Sequence, residues 1–216
     1  MDTEKNRNLE THQTWNKIAA LYEDKFMNLD LYDASYDSLL DFLKNNQREV
    51  LEIGCGPGNI MKYLKSKRNE LIISGTDVSE NMVALARKNN PDAKVQVLDC
   101  RELSCLKTKY DAIVLGFVVP YLNFQDLFQC MADCTELLNE NGWIYLSFVA
   151  GDFEESGYIK GSSGDRMYFH YYDTELIVDL LLNNSFTIVD QKDIEYQKSE
   201  DEIEIHTVII ANKDTV

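Results

Sequence analysis

The chain is 216 residues long and 44% hydrophobic, with 37 Asp and Glu against 21 Lys and Arg and a formal net charge of −16. Such a length buries one substantial core and leaves little beyond one enzyme-sized domain, and no apolar run reaches the roughly 20 residues of a membrane span. With 15 acidic against 5 basic residues from Gly151 onward and no Lys/Arg cluster to form a phosphate-binding groove, neither a membrane nor a nucleic-acid partner is expected.

The polar opening Met1 to Arg7 lacks a signal-peptide pattern, and five cysteines without regular spacing suit a reducing compartment, so a cytoplasmic location is expected. Thr14 to Phe26 reads as a helix with one apolar stripe. Glu49 to Gly54 reads as a strand, Asn59 to Lys67 as a helix, Leu71 to Asp77 as a second strand and Glu80 to Asn89 as its helix. Lys94 to Asp99 is a third strand, and Tyr110 to Phe117, nearly continuous in apolar residues, has the pattern of a strand buried on both faces. Phe124 to Asn139 follows as an amphipathic helix stopped by Gly142, then Trp143 to Phe148 as a fifth strand. Gly151 to Tyr172, rich in Gly and Ser and including Ser162, reads as a mobile loop without structure of its own. A helix from Glu175 to Asn183 is capped by Asp173 or Thr174. Phe186 to Tyr196 and Glu202 to Asn212 close the chain as an antiparallel pair around the polar turn Gln197 to Asp201. The period-two pattern of that last strand is expected to turn His206 outward. Alternating strands and helices predict an α/β fold, a doubly wound, mostly parallel seven-stranded sheet ending in an antiparallel hairpin.

Chemistry concentrates at the first strand's end. Gly54, Gly56 and Gly58 allow a sharp turn and close approach of a ligand to the main chain. Asp77, some 20 residues on at the end of the second strand, is placed to accept hydrogen bonds from ribose hydroxyls. A dinucleotide dehydrogenase is the competing reading, but its G-x-G-x-x-G spacing would need a small residue where Asn59 stands.

The run Glu52-x-Gly54-x-Gly56-x-Gly58, then Gly75-x-Asp77-x-Ser79 and Asn81-Met82, resembles class I S-adenosylmethionine-dependent methyltransferases, from about Trp15 to the chain's end. The resemblance implies a single Rossmann-like domain over residues 1–216, with residues 1–45 a helical cover, 49–216 the core and 151–172 a substrate loop. It implies S-adenosylmethionine as cofactor and S-adenosylhomocysteine as product. Glu52 would receive the methionine ammonium, directly or through water, and main-chain groups at Gly54, Cys55 and Gly56 would hold the amino-acid end. Asp77 would bind the ribose, with helix capping as its other reading and Ser79 as the rival cap. Val78 and Met82 would flank the adenine, although Met82 is equally a core filler. Asp99 and Cys100 would read the adenine edge, unless Asp99 only ends its strand. Phe117 and the segment to Tyr121 would lie beside the transferable methyl group. Trp15, Tyr22 and Phe26 form either an aromatic cover or ordinary helix packing.

Phe26, Tyr121, His170 and Tyr171 are candidates for the acceptor pocket, and His170 for a general base, because an unperturbed imidazole titrates near neutrality. No Asn-Pro-Pro-Tyr or Asp-Pro-Pro-Tyr tetrad is present, which speaks against amine methylation of nucleic acids. Cys130 and Cys134, like Cys100 and Cys105, lack CxxC spacing and read as inert thiols, so no metal is expected. The combined expectation is a methyltransferase acting on a small molecule by in-line transfer, in which positioning alone can supply much of the rate. A sensor that binds S-adenosylmethionine without transferring its methyl group is the alternative. Acceptor identity and oligomeric state are not readable from the residues.

Overall fold

Nine strands and six helices carry the described residues 3–161, 163–199 and 202–214 of the computed structural model. Ser162, Glu200 and Asp201 lie outside them. The strands are β1 (Glu49–Ile53), β2 (Ile72–Asp77), β3 (Lys94–Val97), β4 (Tyr110–Gly116), β5 (Leu138–Val149), β6 (Gly157–Lys160), β7 (Arg166–Phe169), β8 (Phe186–Gln197) and β9 (Ile203–Lys213). The helices are α1 (Glu4–Phe26), α2 (Asp33–Phe42), α3 (Asn59–Lys67), α4 (Glu80–Asn89), α5 (Phe124–Leu137) and α6 (Thr174–Asn183).

Seven strands form one sheet in the order β3-β2-β1-β4-β5-β9-β8. The first five pair in parallel, and β9 joins β5 and β8 antiparallel. The expected Rossmann-like fold is present. Alternate residues of the buried strands feed two cores, because successive side chains point to opposite faces. Leu51, Ile113, Leu146 and Ile209 pack with Met131 of α5 and Leu181 of α6. Val50, Val114, Tyr145 and Ile210 pack on the other face with Leu39 of α2 and Leu64 of α3. Parity therefore sends Glu52 to the α2/α3 face, beneath α3.

Four boundaries differ from expectation for physical reasons. The chain leaves α5 at Leu137 and enters β5 directly, because Leu138 pairs with Tyr110; Gly142 lies inside the strand rather than at a helix stop. β3 ends at Val97, after which Leu98 donates to the Asp77 carbonyl and the Asp99 carboxylate accepts from the Arg101 N–H to turn the chain. The segment 151–172 is not structureless: β6 and β7 form a hairpin, the aromatic-rich run from Arg166 having strand alternation. α1 starts ten residues early, at Glu4, with Thr3 as its cap. The expected cover over residues 1–45 also divides. α1 lies across the strand ends, whereas Tyr36 and Leu39 of α2 are built into the sheet's core.

Candidate active site

The glycine loop is shaped by its backbone. Gly54, Gly56 and Gly58 have φ of 62°, 53° and 84°, a region where L side chains are strained. A Cβ on Gly54 would stand 2.5 Å from Val118 Cγ2, and one on Gly58 2.3 Å from Asn90 Nδ2. The loop is fastened from β2: the Cys55 N–H donates to the Thr76 carbonyl at 2.8 Å, and the Gly56 N–H donates to Asp77 Oδ2 at 2.8 Å. Asp77 Oδ1 accepts from the Ser79 N–H at 2.8 Å. Ser79, not Asp77, caps α4, its Oγ accepting from the Met82 N–H. Asp173 is the cap of α6, which resolves the choice with Thr174.

Two carboxylates are buried here, Glu52 at 2% exposure and Asp77 at 9%. Burial pushes Glu52 up to about 8; the Met61 N–H, donating to Oε2 at 2.9 Å, opposes the rise, and the neighbouring Asp77 charge adds to it. Asp77 is also raised by burial, against the two amide hydrogen bonds and the nearby His12. Two buried carboxylates beside the glycine loop are acceptors suited to an ammonium and to a pair of hydroxyls.

α1 closes this crevice. Trp15 meets both Tyr22 and Tyr121 edge-on at 5.3 and 5.4 Å, and Tyr22 packs on Phe26 at 4.5 Å. Tyr22 lies over the glycine loop, its Cε1 3.7 Å from where a Gly56 Cβ would stand, and burial followed by the Asp77 and Glu52 charges raises its hydroxyl. The helix is tied down by polar contacts on both sides. Asn16 Oδ1 accepts from Ser79 Oγ and from the Asn81 N–H, both at 2.9 Å, and Asn89 donates to Glu23 at 2.6 Å. On the hairpin side, Thr14 Oγ1 donates to the Arg166 carbonyl at 2.7 Å and Lys17 pairs with Asp165 at 2.7 Å. Two surface cavities, of about 260 Å³ beside Asn89 to Ala93 and about 360 Å³ between Phe124, Phe128 and α6, lie away from the strand ends.

Most predicted site residues converge. Glu52, Gly54, Cys55, Gly56, Asp77 and Tyr22 meet at the ends of β1 and β2, with half-buried Val78 next to them and Met82 buried on the first turn of α4. Asp99 is not a free acceptor: Oδ1 takes hydrogen bonds from the Arg101 main chain at 2.9 Å and from its guanidinium at 3.1 Å. The same guanidinium binds Asp126 and the Tyr121 carbonyl, bracing the end of β4, while Cys100 packs against the core. Phe117 has a left-handed φ of 57°, held by its N–H donating to Ser147 O and Oγ. A non-glycine residue in this region carries backbone strain that the surrounding structure must hold.

Phe169 packs on Tyr121 at 5.7 Å and on Tyr171 at 4.8 Å. His170 lies on the opposite face of that strand, against Phe153, Tyr168 and Tyr172. Its Nδ1 is buried without a partner, and burial, then Arg7 and Arg101, push the imidazole down to about 4. The geometry therefore turns the expected base away from Tyr121. His206 is the larger correction. It is 5% exposed, on the same face of β9 as Val208 and Ile210, while Ile203 and Ile205 face solvent. The strand alternates as expected with the opposite face inward, and Ile203 and Ile205 lie beyond His206, where the pairing with β5 ends.

Asn16, which bonds the cap of α4, Tyr32, which packs on Phe117, and Arg101, which holds Asp99, lie next to these residues and carry no motif. Only the proximity of Asn16 to the aromatic stripe of α1 could have drawn attention to it.

Residues 50–142 match the family described as "Methyltransferase domain". The chain is 31% identical to the demethylmenaquinone methyltransferase of Thermotoga maritima over 100 residues, 46% of this chain and 43% of that protein. It is 31% identical to the tRNA N(3)-methylcytidine methyltransferase trm140 of Schizosaccharomyces pombe over 196 residues, 79% of this chain and 62% of that one. It thus spans less than two thirds of either relative. In fold it resembles the Burkholderia thailandensis 1,6-didemethyltoxoflavin-N1-methyltransferase, whose structure contains S-adenosylhomocysteine, with a TM-score of 0.73 at 14% identity, covering 100% of this chain and 92% of that one. Together with the glycine loop fastened to Asp77 above a buried Glu52, the match over residues 50–142 and the shared fold support a class I S-adenosylmethionine-dependent methyltransferase.

Proposed function

We propose that the protein transfers the methyl group of S-adenosylmethionine to a small-molecule acceptor held at the end of β4. The observation that carries the cofactor side is the Gly56 N–H to Asp77 bond, which fixes a buried carboxylate beside the glycine loop. Glu52 would take the ammonium, main-chain groups of Gly54 to Gly56 the carboxylate, and Asp77 the ribose hydroxyls, with Val78 and Met82 beside the adenine. Asp99 orients Arg101, so its part in adenine recognition passes through the main chain at Cys100. The cofactor supplies a methyl group on a positively charged sulfur, already an activated electrophile.

The chain's own residues have two tasks. Tyr22, Trp15 and Phe26 exclude water from the crevice and present aromatic faces, which attract a cation by roughly 0.5–2 kcal/mol. Tyr121, Phe169 and Tyr171 form an apolar wall for the acceptor. The acidic surface, with net charge −16, supports a small molecule over RNA or DNA, whose phosphates need cationic partners. Entry requires α1 to lift, and its polar fastenings are of the kind that exchange with water. Incubation with methyl-labelled S-adenosylmethionine and, separately, a metabolite extract and total tRNA tests this reading. Label in the small-molecule fraction is the expected result; label in tRNA alone would overturn the acceptor assignment. Absence of label with S-adenosylmethionine bound would instead favour a sensor.

A further inference from the structure

A polar chain, buried at Tyr32 and His206, lies beside Phe117. Tyr32 Oη lies 2.7 Å from His206 Nδ1, and His206 Nε2 lies 3.5 Å from Glu204 Oε2. Glu204 can only accept when ionised, so it fixes the proton on Nε2 and leaves Nδ1 to accept from the Tyr32 hydroxyl. Aromatic rings enclose the imidazole: Tyr196 stacks on it at 4.9 Å and Phe117 meets it edge-on at 4.9 Å. Phe117 is itself the strained residue at the end of β4. Such a hydroxyl–imidazole–carboxylate sequence positions a base through one intermediate oxygen.

Resting on the methyl-transfer reading above, we propose that Tyr32, His206 and Glu204 form a proton relay for a planar phenolic acceptor stacked among Phe26, Phe117, Tyr121, Tyr171 and Tyr196. Ring-lined walls favour a flat, apolar acceptor. A phenol, whose pKa is ordinarily about 10, keeps its proton at neutrality and is a poor nucleophile until it loses it. A carboxylate acceptor has no proton to give, and Lys198, the cation nearest the relay's acid, is already paired with Glu202 and Glu204 at 2.9 and 2.5 Å.

As the phenol oxygen bonds to the methyl carbon, the carbon–sulfur bond breaks and its electron pair stays on the departing thioether. The phenol proton passes to Tyr32 Oη while the Tyr32 proton passes to His206 Nδ1. The resulting imidazolium faces the Glu204 carboxylate and later loses its proton to water. Burial lowers the proton affinity of His206, so the imidazole is neutral and ready to accept; Glu204 raises it and Lys198 lowers it. The other titratable groups around it are Tyr32 ahead of α2, Tyr196 of β8 and, over the Tyr196 ring, Lys25 of α1. Tyr32 is the catalytic residue in this scheme and His206 a positioning residue that receives the proton through it.

The test uses 4-nitrophenol, which ionises close to neutrality with a colour change, titrated with pH in a non-reacting complex with S-adenosylhomocysteine. In the wild-type protein its ionisation midpoint should lie about one pH unit below that in His206→Asn, which keeps an acceptor for Tyr32 but takes up no proton. Tyr32→Phe, which keeps the ring packing, should match His206→Asn. With S-adenosylmethionine, turnover of 4-methylphenol should fall roughly 10²- to 10⁴-fold in both variants, and that of 4-nitrophenol by less than about tenfold. Equal midpoints, equal losses for the two phenols, or no saturable phenol binding would overturn the relay. Calorimetry with S-adenosylhomocysteine on the same wild-type sample separates the two claims: no binding there would overturn the methyl-transfer reading itself.

Discussion

Replacing Glu52 by Gln should stabilise the cofactor-free protein at alkaline pH and leave it unchanged in acid. Glu52 is 2% exposed and its carboxyl is raised from 4.5 to about 8, chiefly by burial. Because the folded value exceeds the unfolded one, the native state binds the extra proton between these limits. Its contribution is fully present below pH 4.5, declines by about 1.4 kcal/mol per pH unit above it, and is lost once pH passes 8. The integrated loss is on the order of 5 kcal/mol. Glu52→Gln keeps an oxygen for the Met61 N–H and has nothing to titrate. Urea unfolding of both proteins at pH 5, 6.5 and 8 isolates this residue from the other acids. The wild type should lose stability relative to the variant as pH rises, by several kcal/mol at pH 8. Parallel profiles would refute the burial argument. An ammonium arriving at Glu52 would favour the ionised form, so S-adenosylmethionine should bind wild type with release of a proton near neutral pH.

Asp77→Asn removes an acceptor for one of the two amides it holds and should weaken S-adenosylmethionine binding about 10- to 100-fold by calorimetry, a charged hydrogen bond being worth about 1.5–3 kcal/mol. Gly54→Ala places a Cβ 2.5 Å from Val118 Cγ2 at φ +62° and should cost about 2–4 kcal/mol of stability in thermal or urea unfolding. Asn16→Ala strips two hydrogen bonds between α1 and α4 and should raise the rate of limited proteolysis between α1 and α2 by about tenfold, with the sheet's melting transition little changed.

The sheet was legible because its signals are local. Strand–helix alternation, the glycine run and the acid closing β2 each sit within a few residues of the structure they specify, and the geometry brings Glu52, Gly56 and Asp77 together as their spacing implies. The hairpin β6–β7 was hidden by its glycines and serines, although the alternation from Arg166 to Tyr171 is a strand pattern. Tyr32 and His206 are 174 residues apart in sequence and meet only through the sheet order, which no short window encodes. His206 also shows how parity misleads at a strand's overhanging end, where isoleucines lie past the core and the polar side faces a site. Asp99 looked like a free acceptor because its partner Arg101 is two residues on and also serves Asp126 of α5.

Titrating the purified chain calorimetrically with S-adenosylmethionine, S-adenosylhomocysteine and NAD tests the central claim most directly. Saturable one-site binding of both sulfur nucleosides, weakened about 10- to 100-fold in Asp77→Asn and absent for NAD, is the expected result; binding of NAD alone would contradict the account and return the glycine loop to a dehydrogenase.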